Sequence, residues 1–163
     1  MGDITIDVRK IGISVLVVST LAFLFLSHGF GWLGGADGSR VTGAAVASSG
    51  FRIPLSEVAE DAKWYEYDSN DVTIKFFAIR DVNGDIKTAF DACDICYSSH
   101  KGYRQEGGYM ICNNCGNRYP ISGLGTENKR PGGCWPGYLK SRANGEYLVI
   151  DKSDLESGRY RFA

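Results

Sequence analysis

The hydropathy pattern divides the chain near residue 33. From Ile11 to Leu33 no side chain is charged with His28 neutral, and Val15 to Val18 and Leu21 to Leu26 are continuously apolar. A helix of about 23 residues spans about 35 Å, which exceeds the ~30 Å hydrocarbon core of a bilayer. This predicts one transmembrane helix within an N-terminal membrane anchor, residues 1–33. Arg9 and Lys10 precede the run and Trp32 lies near its far end. A basic flank stays cytoplasmic, so the N-terminus is expected inside and the rest of the chain extracytoplasmic, in single-pass topology. Ala45-Val46-Ala47 resembles a signal-peptidase site but lies too far past the apolar run, so a retained anchor is expected. No cysteine sits near the end of the run, which excludes lipoprotein processing there.

Residues 34–50 are small: Gly, Ala, Ser, Thr and Val dominate. They are expected to form a flexible tether, with packing of Val41 to Ala47 on a partner as the alternative. From Phe51 the pattern shifts toward the period of strands. Lys63 to Asp68, Asp71 to Arg80, Ile86 to Ala92 and Glu146 to Asp151 read as strands. Asn83-Gly84 joins two of them, since both residues tolerate positive φ. Gly107-Gly108 bends the Tyr103 to Met110 segment back on itself, and Tyr119-Pro120-Ile121 leads away. Leu124 to Gly137 is loop. Ser56 and Ser153 are placed to cap short helical turns, and Arg159 to Phe162 is expected to close the sheet. The prediction is a mainly β domain over residues 51–163.

Composition adds limits. The net charge of −1 at pH 7 lacks the basic excess of a nucleic-acid binder. Twenty-one glycines with four prolines indicate many turns, and 44% hydrophobic residues permit a core. With two histidines, no Ser/His/Asp set exists, and no phosphate-cradling loop is present. A carrier or binding protein is expected over a catalyst.

The chemistry lies in the cysteines. Cys93-Asp94-Ile95-Cys96 and Cys112-Asn113-Asn114-Cys115 are two Cys-x2-Cys pairs separated by fifteen residues. That fits the template of about 15–20 residues between pairs in a four-thiolate metal site. Each pair turns two thiolates toward one point, and two pairs complete a tetrahedral shell, as in zinc-ribbon- or rubredoxin-like knuckles. Two disulfides, or a redox-active dithiol, are the alternatives; thioredoxin-like folds use a single pair. Gly116 would let backbone approach the second knuckle. The fifth cysteine, Cys134, sits in Gly132-Gly133-Cys134-Trp135-Pro136 as a ligand, a thiol beside the site, or a buried residue. His100 is a possible ligand or a solvated loop residue. Asp91 and Asp94 flank Cys93, where negative charge would lower a reduction potential, although turn duty is the plainer role. Tyr97 after Cys96 excludes covalent haem c attachment, and His28, inside the apolar run, is expected near the outer interface, with haem binding as the remote alternative.

The runs Ile74-Lys75-Phe76-Phe77, Asn83-Gly84-Asp85-Ile86, Thr88 to Tyr97, Lys101-Gly102-Tyr103, Cys112 to Gly116 and Gly132 to Pro136 together resemble the FtrD-like membrane iron–sulfur protein family. Its members are encoded near high-affinity iron permeases. The resemblance covers roughly Phe51 to Asp151. It implies a membrane-anchored metal protein that handles electrons, linked to iron uptake. In it Cys93, Cys96, Cys112 and Cys115 match the proposed ligands, and Cys134 matches a further family cysteine. Longer members carry several membrane segments, whereas one is expected here. The spacings are not those of common ferredoxin runs and suit a single tetrathiolate ion. Three roles follow as expectations: an iron or iron–sulfur electron carrier working with a redox partner or a metal permease, a zinc-stapled assembly module, or an iron or copper chaperone exchanging metal through Cys134.

Overall fold

A computed structural model describes residues 50–163. The predicted anchor and the tether before Gly50 lie outside the described residues. Among the described residues no helix is long and apolar enough to cross a membrane. The domain is mainly β and holds nine strands: β1 Phe51–Pro54, β2 Lys63–Ser69, β3 Val72–Arg80, β4 Ile86–Phe90, β5 Tyr103–Glu106, β6 Tyr109–Cys112, β7 Arg118–Pro120, β8 Arg142–Asn144 and β9 Tyr147–Ile150. They form three antiparallel three-stranded sheets, ordered β1-β9-β8, β2-β3-β4 and β5-β6-β7.

The middle sheet is organised by β3, whose sequence breaks simple alternation because both of its faces are covered. Ile74, Phe76 and Ala78 face one core with Phe51, Ile53, Tyr65, Phe90, Leu148 and Ile150. Phe77 and Ile79 face a second core with Ala89, Tyr103, Met110, Ile121, Leu124 and two of the cysteines. Each face of β3 is thus a hydrophobic seam, and the sulfur-bearing core is the one shared with the β5-β6-β7 sheet. Fully burying one such side chain contributes about 1.5–3 kcal/mol, so the knuckles stand on rigid scaffold.

Turn chemistry departs from expectation in places. Asn83 does not adopt positive φ; only Gly84 does, at 84°. The β3–β4 link is a longer loop in which the Asp81 carboxylate accepts the amides of Asn83 and Asp85, both at 2.9 Å. The tight turn with two positive φ values is Asn70-Asp71, between β2 and β3, at 42° and 66°. Ser56 lies inside its 3₁₀ turn, Leu55–Glu57, which starts after Pro54 with no side-chain cap among the described residues. Ser153 lies inside the short helix α1, Lys152–Glu156, whose N-cap residue is Asp151. Arg159 to Phe162 does not close a sheet. Arg159–Arg161 is a 3₁₀ turn, because Gly158 presses against the Phe90 ring and turns the chain toward the first knuckle.

Candidate metal centre

Three segments converge on one site. β4 ends at Phe90 and the chain runs through Ala92 to Cys93 and Cys96. The β6–β7 turn carries Cys112 and Cys115. The third segment is the loop around Cys134, laid antiparallel beside the extension of β4: the Phe90 amide donates to Gly137 O and the Gly137 amide to Ala92 O, both at 2.8 Å. This pairing brings a cysteine from far along the chain to the first knuckle. The Cys96 and Cys134 sulfurs are 3.7 Å apart.

All five thiols are free and form two overlapping groups. In Cys93, Cys96 and Cys134 every pair of sulfurs lies within 4.8 Å; the same holds for Cys96, Cys112 and Cys115. Either group could hold a metal ion. Cys93 and Cys112 are buried, Cys96 and Cys134 are half-buried, and Cys115 is exposed.

Backbone amides point at the sulfurs. The Cys96 N–H donates to Cys93 Sγ at 3.0 Å. The amides of Cys115 and Asn114 favour the thiolate of Cys112, and that of Asn117 the thiolate of Cys115. Gly116, at φ 75°, makes the second knuckle possible. A Cβ there would meet nothing within 4 Å, so the left-handed backbone requires glycine rather than lack of space. The corresponding position of the first knuckle is Tyr97, which instead opens a 3₁₀ turn, Tyr97–Ser99.

The electrostatics are those of a site crowded with sulfur. Burial pushes the Cys112 thiol up to about 11 against the pull of its two amides. Burial, then the Cys96 thiol and the charges of Cys93, Cys96 and Cys115, push Cys134 up to about 12. Cys115 is held below the ordinary thiol range, by the Asn117 amide and then by the thiols around it, despite some burial. Several thiolates this close repel one another, so ionising the set calls for a cation among them. The donor type is soft sulfur throughout, which suits zinc, copper(I), iron and iron–sulfur groups.

Aromatic side chains pack around the sulfurs. Tyr103, 5% exposed, sits beside Cys93 and Cys112, and its hydroxyl donates to Cys134 O at 2.5 Å. Burial, then those two cysteines, push its phenol far above the usual range. Tyr119 packs against Trp135 with ring centroids 4.8 Å apart and planes tilted by 45°, and burial with the charges of Cys134 and Cys115 raises its pKa to about 12. Trp135 fits over Gly123, where a Cβ would come within 2.5 Å of the indole.

The two aspartates are fasteners. Asp91 accepts the Tyr103 amide at 2.8 Å. Asp94 accepts from Tyr160 at 2.8 Å, from Arg161 Nη2 at 2.6 Å and Nε at 3.0 Å, and from the Gly132 amide at 2.8 Å. Burial would raise its pKa, but the Gly132 amide, Tyr160 and Arg161 outweigh burial and hold it below the usual carboxylate range. Arg161 offsets its charge, so Asp94 is not the free negative neighbour expected to depress a potential. His100 is exposed and caps the 3₁₀ turn at φ 52°. Neither aspartate nor His100 belongs to a close ligand group. His100 and Asp91 line a cleft of about 360 Å³ that reaches Cys93, Cys96 and Cys112.

Sequence reading passed over Tyr103, Arg161 and Tyr160. The Tyr103 aromatic, close in sequence after the first knuckle, was a signal that could have been used; Arg161 and Tyr160 gave none, since their partner lies 66 or 67 residues away.

A family model described as "Membrane iron-sulfur containing protein FtrD-like" matches residues 58–162. No curated protein and no solved structure matches the chain.

Proposed function

The chain belongs to the FtrD-like family of membrane iron–sulfur containing proteins, and from that premise we propose that its cysteine centre holds iron, as ion or iron–sulfur group, and carries single electrons at a membrane surface. The observation that supports this most is the gathering of five thiols from three segments with no acid–base pair among them. Cys93, Cys96, Cys112, Cys115 and Cys134 are the proposed ligands.

The bound group would supply one-electron chemistry; the chain's residues hold it and set its potential. Amides aimed at Cys93, Cys112 and Cys115 stabilise negative charge on sulfur and therefore favour the reduced state, which raises the potential. Tyr103, Tyr119 and Trp135 pack around the cysteines, while the cleft of about 360 Å³ leaves Cys93, Cys96 and Cys112 within reach of solvent. The outer side stays open at Cys115 and at Ile95, 58% exposed on the tip of the first knuckle, where a redox partner or a metal permease could approach. The apolar run from Ile11 to Leu33 is the proposed anchor, with the domain on the extracytoplasmic face and a link to iron uptake.

The test is a potentiometric titration of the full chain in detergent. A reversible one-electron transition of a thiolate-bound chromophore is expected. Bound metal with no redox transition between −700 and +450 mV, the span of iron–sulfur proteins, would instead favour zinc as a staple.

A further inference from the structure

We propose that the five cysteines form a two-metal centre, with Cys93 and Cys134 serving one metal, Cys112 and Cys115 the other, and Cys96 between them. The proposal rests on the reading that these cysteines hold metal, and it goes beyond that reading in nuclearity and in the grouping of the ligands.

A single ion in four thiolates imposes a simple geometry. Bonds of about 2.3 Å in a tetrahedron place all four sulfurs about 3.8 Å from one another. Among the described residues the sulfurs do not gather in this way. The sets in which every sulfur lies within 4.8 Å of every other contain three members, and there are two such sets. They share one residue, Cys96. The grouping also cuts across the sequence motifs. Cys93 and Cys96 belong with Cys134, from a distant loop, rather than with the second Cys-x2-Cys pair alone.

The fifth sulfur is the second observation. Cys134 lies 3.7 Å from Cys96, the spacing of two ligands on one metal. A lone tetrahedral ion has no place for a fifth thiolate. The loop is nonetheless fixed at both sides of this residue: Gly132 donates to Asp94, and Gly137 pairs with Ala92. The carbonyl of Cys134 itself accepts the Tyr103 hydroxyl. A residue held by three separate contacts at ligand spacing is built into the site.

Each half carries its own support. Cys93 receives the Cys96 amide in one half, and Cys112 and Cys115 receive amides from their own turn in the other. Each half also has one buried cysteine, Cys93 or Cys112, and one more accessible cysteine, Cys134 or Cys115. Two metals, one held in each half with Cys96 within reach of both, would use all five thiols.

The test is metal stoichiometry with X-ray absorption on the full chain, purified anaerobically in detergent. Two metal ions per chain are expected, with a metal–metal vector shorter than about 4 Å. Cys134→Ala should abolish that vector and at least halve the metal content, and Cys115→Ala should do the same from the other side. One ion per chain surrounded by four sulfurs, with no metal–metal vector, overturns the proposal while leaving the electron-carrier reading intact. So does a Cys134→Ala variant with unchanged stoichiometry and spectrum. Protein isolated without metal that also takes up none when iron or zinc is added anaerobically overturns both readings.

Discussion

Replacing Asp94 by asparagine removes one charge and leaves the shape. The carboxylate accepts from Arg161, Tyr160 and the Gly132 amide, so it ties the C-terminal turn and the Cys134 loop to the first knuckle. The side chains of Arg161 and Asp94 are 10% and 19% exposed. Breaking a fully buried ion pair costs about 3–5 kcal/mol, and an exposed one contributes about 0–1 kcal/mol. This pair lies nearer the buried limit, and the amide keeps an acceptor for Gly132, so Asp94→Asn should cost about 2–3 kcal/mol. Denaturant unfolding of the metal-loaded protein, read by tyrosine and tryptophan fluorescence, measures it. The pH dependence gives a second reading. The folded Asp94 pKa lies below its unfolded value, ordinarily about 3.9. Its contribution is therefore fully present above that value and is lost as pH falls through the lower folded value. The gap between wild type and variant should be widest above about pH 5 and should close in stronger acid. A gap below about 0.5 kcal/mol at pH 7, within the usual scatter for a surface change, would refute the reasoning, as would a gap that widens in acid.

Tyr65 is 2% exposed and its hydroxyl has no hydrogen-bond partner among the described residues, so Tyr65→Phe should be neutral or stabilising by up to about 1–3 kcal/mol; thermal melts showing a clear loss would contradict this. Gly158→Ala would place a Cβ 2.2 Å from the Phe90 ring and should cost about 1–3 kcal/mol from overpacking, with a shifted denaturant midpoint as the readout. Cys112→Ser, at a buried sulfur, should lower metal content and strongly destabilise the domain, because structural metal binding contributes on the order of 10 kcal/mol to folding in small domains. A variant that melts like wild type, in a protein that chelators leave unchanged, would remove Cys112 from the ligand set.

The long strands were legible because burial on one or both faces leaves a local record. Val72 to Arg80 is rich in β-branched and aromatic residues, as a strand covered on both sides must be. The strand β1 was missed because four residues, Phe51-Arg52-Ile53-Pro54, alternate for too short a span to register. The strand β8 was missed because Arg142-Ala143-Asn144 is exposed throughout and is held by its ladder to β9 and by the ion pair of Arg142 with Asp151. At the site, Cys-x2-Cys spacing is local and could be read directly. The position of Cys134 depends on the pairing of Gly137 with Ala92, and the role of Asp94 on an arginine 67 residues later. Neither leaves a mark in the neighbouring sequence.

The central claim is a thiolate-bound iron centre, and elemental analysis with a visible spectrum tests it most directly. The full chain should be isolated anaerobically from cells grown without added metal. The account predicts stoichiometric iron and sulfur-to-iron charge-transfer absorption that bleaches on reduction. A colourless protein carrying stoichiometric zinc would contradict it.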